Sequence, residues 1–61
     1  MKKYFVMDKA NSQTSIFILV KDEANNSYRF VDIKDMTLIP INFETAGDAL
    51  NWLDIGYEWI C

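Results

Sequence analysis

Apolar residues come in short, dense blocks along this chain, separated by polar stretches of similar length. Lys2 to Met7, Ser15 to Lys21 (SIFILVK) and Tyr28 to Ile33 each have strand length. They are rich in the β-branched and aromatic residues that suit a pleated, half-buried surface. Between them lie Lys9-Ala10-Asn11-Ser12-Gln13-Thr14, Asp22-Glu23-Ala24-Asn25-Asn26-Ser27 and Lys34-Asp35. Their Asn, Asp and Ser side chains can bond nearby backbone and so favour turns, with asparagine able to adopt positive φ. A fourth, weaker run from Met36 to Ile41 contains Pro40. Proline has no N–H for a ladder, so this strand belongs at an edge. Glu58 to Ile60 leaves room for a brief fifth strand.

After Ile41 the period changes. Ala46, Ala49, Leu50 and Leu53 fall at i, i+3, i+4 and i+7 and predict a helix over 46–54. Thr45 is suited to cap its first turn, and Asp48 stands at the third helical position of a capping box. Gly56 predicts a left-handed stop, with Tyr57 folding back onto Trp52. Asp54 places a negative charge at the negative end of the helix dipole, which is mildly unfavourable. A helix this short does not hold in water alone and must pack on something.

The pattern therefore predicts a single α+β domain over residues 1–61. It is an antiparallel meander of three to four strands, with one C-terminal helix packed on one face and room for a short final strand. Side chains alternate along a strand. Tyr4 and Val6 oppose Phe5 and Met7; Phe17 and Leu19 oppose Ile16, Ile18 and Val20; Tyr28 and Phe30 oppose Val31 and Ile33. A sheet with one wet face would alternate apolar with polar. This one is apolar on both sides, and a short helix covers only one. The other face is expected to meet a second copy of the chain, giving a dimer. The competing expectation is that the loops, with Trp59 and Ile60, fold over and close a small two-sided core.

Composition sharpens this. A chain of 61 residues buries only about 60% of its unfolded surface, and such domains commonly rely on disulfides, metals or association. The single cysteine, Cys61, excludes an internal disulfide, and the lack of histidine excludes the usual zinc sets. An intermolecular disulfide through Cys61 and a cytoplasmic setting are both compatible with one thiol. Met1-Lys2-Lys3 resembles the start of a signal peptide, but Asp8 and Lys9 break the apolar run that follows. No window reaches membrane-spanning length. Residues 1–34 hold every basic group and net +2, whereas residues 35–61 net −5, for an overall −3. Asp48, Asp54 and Glu58 form a candidate acidic docking face for a partner with a basic surface.

Catalysis finds little to work with. Ser12, Thr14 and Ser15 have no activator beyond nearby lysines, and the carboxylate pairs Asp22-Glu23 and Asp32/Asp35 stand at predicted turns. Gly47 and Gly56 make no phosphate loop, and no metal or cofactor site is expected. Tyr4, Phe17, Tyr28 and Phe30 beside Lys3, Lys21 and Arg29 could stack single-stranded nucleic acid. A pI near 4.5 opposes that. An acidic mimic of nucleic acid is a further option, although the acids are sparse for it. Three strands followed by Phe43-x-Thr45-x-x-Asp48-Ala49-Leu50 resemble antitoxin domains of the HicB type over that short run. Tyr28 to Asp32 lacks the Gly/Pro-rich third strand of that family, so no role carries across. The expected function is a non-enzymatic protein–protein interaction module that self-associates and acts as a regulator or inhibitor of a protein partner. Tyr4, Phe17, Phe30, Trp52 and Trp59 are its candidate interface residues, since large aromatics dominate contact energetics.

Overall fold

In the computed structural model, which describes residues 1–60, the chain runs β1 (Tyr4–Asp8), β2 (Thr14–Asp22), β3 (Ser27–Asp32), β4 (Thr37–Leu38), α1 (Ala46–Gly56) and β5 (Tyr57–Trp59). The strands form one antiparallel sheet in the order β4-β3-β2-β1-β5. The α+β class, the meander and the helix near the C-terminus are as the pattern predicts, and the sheet has five strands. Since β4 and β5 are opposite edges, α1 carries the chain across one face of the sheet. Cys61 lies outside the described residues.

The fourth strand is shorter than the apolar run suggests, and Pro40 falls beyond it. The edge is continued without regular strand: Ile39 N–H donates to Phe30 at 2.9 Å, and Phe43 exchanges both backbone bonds with Tyr28 at 2.7 and 2.8 Å. This pins the segment before the helix along β3 and fixes where α1 begins.

Thr45 caps the helix, its Oγ1 accepting from Asp48 N–H at 3.0 Å. Ala49 and Leu53 are fully buried and Leu50 is half-buried, so the apolar stripe faces the sheet. The C-terminus departs from expectation. The helix continues past Asp54 to Gly56, and no glycine has positive φ. Tyr57 (φ −134°, ψ 151°) passes directly into β5, because its next task is to pair with Asp8 on β1. The carbonyls that a left-handed cap would satisfy are taken by Lys9 instead. Its Nζ donates to Asp54 O at 3.2 Å and Ile55 O at 3.1 Å, and its backbone N–H donates to Gly56 O at 3.0 Å. A cation thus sits at the negative helix end and offsets the Asp54 charge. Tyr57 still reaches Trp52, with ring centroids 5.6 Å apart.

Val6, Phe17, Phe30, Ala49 and Leu53 make the core, with Tyr4, Leu19, Ile39, Phe43, Leu50, Trp52 and Tyr57 packed around it. Every strand residue in this set projects from the helix side of the sheet. Phe30 is the hub: its ring lies 5.4 Å from Phe17, 5.8 Å from Trp52, 6.0 Å from Phe43 and 6.3 Å from Tyr4. Edge-to-face and offset pairs of this kind add about 0.5–1.5 kcal/mol each to the burial itself. Phe30→Ala is expected to cost about 3–5 kcal/mol, enough to unfold most of the population of so small a domain. Urea denaturation followed by circular dichroism measures this, and a loss below about 1 kcal/mol would place the core elsewhere.

Candidate functional site

The sheet face away from α1 is built by the alternate residues of the same strands. The register sets Phe5 beside Ile16, Ile18 beside Val31, and Leu38 beside Val31. Ile33 N–H donates to Ile16 O at 2.8 Å and Ile60 N–H to Phe5 O at 2.9 Å. These bonds complete a row Ile60-Phe5-Ile16-Ile33 next to a row Ile18-Val31-Leu38. Val20 and Met7 extend the band at its two ends. None of these residues belongs to the core, and among the described residues no element lies across them. Phe5 is 38% exposed, Leu38 46% and Ile60 51%, with the middle of the band half-buried by its own neighbours. Polar groups stand only at the margin: Arg29 beside Val20, Glu58 and Thr14 beside Met7, and Lys3 two residues before Phe5.

Met36, in the β3–β4 turn next to this band, is 74% exposed with φ 60°. An L-residue there costs roughly 1–2 kcal/mol relative to right-handed backbone, a cost that glycine avoids. The same conformation at Asn26 (φ 48°) is the asparagine turn expected from the sequence, whereas Ser12 (φ 62°) and Met36 are not favoured types.

The aromatic candidates lie on the opposite, covered side. Phe17 and Phe30 are 1% and 0% exposed, so neither reaches a partner while the fold stands. Tyr4 and Trp52 are half-buried against that core. Trp59 is 46% exposed; its ring leans on Tyr4 at 5.6 Å and its Nε1 donates to Asp54 at 3.2 Å. The physical reason is volume: the rings fill the space between the sheet and a helix whose own stripe is partly alanine. The open face is held instead by Phe5 and the aliphatic residues Ile16, Ile18, Val31 and Leu38. Their alternation was visible in the chain, but nothing local says which side the helix takes.

The acidic candidates do not share a surface either. Asp48 is in the first turn of α1 and Asp54 in its last, whereas Glu58 pairs with Met7 and so points to the far side of the sheet. The carboxylates at turns build those turns. Asp22 accepts from Ala24 N–H at 3.1 Å, Asn25 N–H at 3.3 Å and Asn25 Nδ2 at 2.8 Å; Asp32 accepts from Lys34 N–H at 3.0 Å, and Asp35 from Thr37 N–H at 3.2 Å. An open groove of about 560 Å³ between the β1–β2 and β3–β4 turns is lined by Ser12, Thr14, Ser15, Asp32 and Lys34. There Lys34 Nζ donates to Thr14 Oγ1 at 3.3 Å and Thr14 O at 3.2 Å. Among the described residues, no three of the metal-ligating acids and thiols cluster together.

The basic residues near the aromatics are also engaged locally. Lys2 lies over Tyr4 at 5.4 Å and Lys21 over Tyr28 at 6.0 Å, contacts worth about 0.5–1 kcal/mol at exposed sites. Arg29 Nη2 donates to Ile39 O at 3.2 Å, while its Nε is buried without a partner. No protein-family model matches the chain, and no curated protein or solved structure matches it either.

Two groups titrate away from their ordinary range. Burial pushes the Tyr57 phenol up, with Asp8 and Asp32 adding to the effect, so the fold loses stability as pH rises above the tyrosine range. The Asn25 side chain, then its backbone N–H, holds the Asp22 carboxyl below the usual aspartate value, with Ala24 N–H and the Arg29 charge contributing. A depressed carboxyl stabilises above its unfolded value and loses that contribution as pH falls through its folded one. Asp22→Ala is therefore expected to lower Tm near neutral pH, and the gap to the wild type should narrow below about pH 3.9. Thermal melts across the acid range test this; a gap independent of pH would remove the carboxylate from the turn's stability.

Proposed function

We propose that the protein is a non-enzymatic protein–protein interaction module that self-associates through the sheet face opposite α1. The observation that carries this reading is the unbroken apolar band Ile60-Phe5-Ile16-Ile33 and Ile18-Val31-Leu38, rimmed by charge and outside the core. Apolar patches of this extent on small chains mark contact surfaces. A second copy supplies cover of matching chemistry, and a chain this short gains the stability that its single-sided core limits. A homodimer in the cytoplasm suits a chain whose one thiol has no internal partner. Regulation or inhibition of another protein would use what the dimer leaves outside, including Asp48 and Asp54 toward a basic surface.

Single-stranded nucleic-acid binding has less behind it. Base stacking needs open ring faces. Phe17 and Phe30 are buried, and Tyr4 and Tyr28 have lysines over their rings.

Sedimentation equilibrium is expected to give twice the 7.1 kDa chain mass. Ile18→Thr and Val31→Thr keep β-branched side chains while placing hydroxyls in the band. Each is expected to shift the mass to one chain with an unchanged circular dichroism spectrum. A wild-type protein that stays at single-chain mass at every concentration reached contradicts the reading.

A further inference from the structure

The outer edge of β5 is a second free surface, and its chemistry differs from that of the apolar face. We infer that this edge takes an extended, basic segment of a protein partner as a sixth strand, with Asp54 and Glu58 reading its charge. The inference rests on the reading that the module engages a protein partner, and it does not depend on self-association. β5 (Tyr57–Trp59) ends the sheet on the side away from β4. Its pairing with β1 tells which backbone groups are spent. Lys9 N–H donates to Gly56 O at 3.0 Å and Ile60 N–H to Phe5 O at 2.9 Å, and Glu58 lies opposite Met7. In an antiparallel ladder alternate residues turn their backbone groups toward the neighbour. Gly56, Glu58 and Ile60 therefore face β1, whereas Tyr57 and Trp59 face outward. The Tyr57 N–H is taken by Leu53 O of the helix. Trp59 N–H and C=O, and Tyr57 C=O, have no partner among the described residues. An unpaired row of this kind is a template for one more strand.

The other edge of the sheet is poorly suited to such an addition. β4 is only Thr37–Leu38, and beyond it Pro40 offers no N–H while Ile41 N–H turns back to Ile39 O at 2.9 Å. At the β5 edge Glu58, Trp59 and Ile60 are all exposed. Charge selects the occupant. Asp54 stands on the helix side of this edge, its Oδ1 3.2 Å from Trp59 Nε1. Glu58 alternates with Trp59 and so projects from the opposite side. These two acids share no surface of the folded chain, but an added strand alternates in the same way and meets both. Its residue opposite Trp59 points to the helix side, toward Asp54, and the residues before and after it lie on the side of Glu58. Lys9, the base at this end of the helix, is already given to the carbonyls of Asp54 and Ile55. A segment with two consecutive Lys or Arg residues therefore supplies each acid with a counter-ion, and complementary charge of this kind fixes register even where it adds modest affinity. A second copy is the poorer occupant. Paired antiparallel through Trp59, it would set the two Glu58 side chains diagonally on one face, and like charges so placed repel.

The probe is a labelled peptide of sequence TVKKVT, whose β-branched residues favour the extended form. TVEEVT and versions of TVKKVT that are N-methylated at every second amide, in both phases, are the controls. Binding at low salt is followed by fluorescence anisotropy and by amide hydrogen exchange of the protein. Saturating TVKKVT is expected to slow exchange of the Trp59 amide about tenfold or more, while Glu58 and Ile60, already bonded to β1, stay as they are. Asp54→Asn and Glu58→Gln are each expected to weaken binding about twofold to fivefold, and raised salt to weaken it further. Equal binding by TVEEVT, or by both methylated peptides, overturns the inference. So does a Trp59 amide that is protected without peptide and more so at higher protein concentration, which assigns the edge to a second copy. Binding that leaves Trp59 unprotected and perturbs the helix around Asp48 instead overturns the edge and keeps a basic partner. No binding by TVKKVT removes the basic partner as well. Sedimentation of the wild type decides self-association through the apolar face separately, whatever the peptide does.

Discussion

One helix can shelter only one side of a sheet, and in this protein that constraint reaches from the core to the surface. α1 crosses the sheet from the β4 edge to the β5 edge on one face, and Ala49, Leu50 and Leu53 meet Phe17, Phe30 and Val6 beneath it. The stabilisation is aromatic and one-sided: Phe30 touches four other rings, all on that face. The same strands carry a second set of apolar side chains that the core never uses. The apolar back of the sheet follows directly from a core with only one cover.

What keeps that cover in place is a small set of polar bonds at its two ends. Thr45 closes the N-terminus of the helix. Lys9, from the β1–β2 turn, closes the C-terminus through both its ammonium and its backbone N–H. The turn between the first two strands is therefore also the C-terminal cap of α1. This coupling ties the edge pairing of β5 with β1 to the position of α1. It also explains how a helix ending in Asp54, Ile55 and Gly56 does without a left-handed stop.

Much of the fold was legible in the residues. Periods of two and then 3.6, the Thr45 cap and the turn-forming Asp22 and Asp32 all act locally, so the sequence displays them. What escaped depends on partners distant in the chain. Gly56 read as a left-handed stop because glycine usually serves there, whereas β1 draws Tyr57 into extended pairing and Lys9 takes the freed carbonyls. The interface candidates followed the weight of aromatic rings, and Phe17 and Phe30 turned out to fill the space under α1. The two faces were separable from alternation alone; which face the helix covers was not, because both offered it apolar residues. Asp48, Asp54 and Glu58 are near one another in sequence, but the passage from helix to strand sends Glu58 to the far side of the sheet.

We propose that a second copy covers the bare side of the sheet and that its binding adds to the stability of the folded chain. Thermal unfolding measured over a wide range of protein concentration tests it most directly. Association to the native state makes Tm climb with concentration, because mass action favours the assembled form. A melting temperature that stays flat from the most dilute to the most concentrated sample would show that each chain is stable with that side exposed, and would contradict the account.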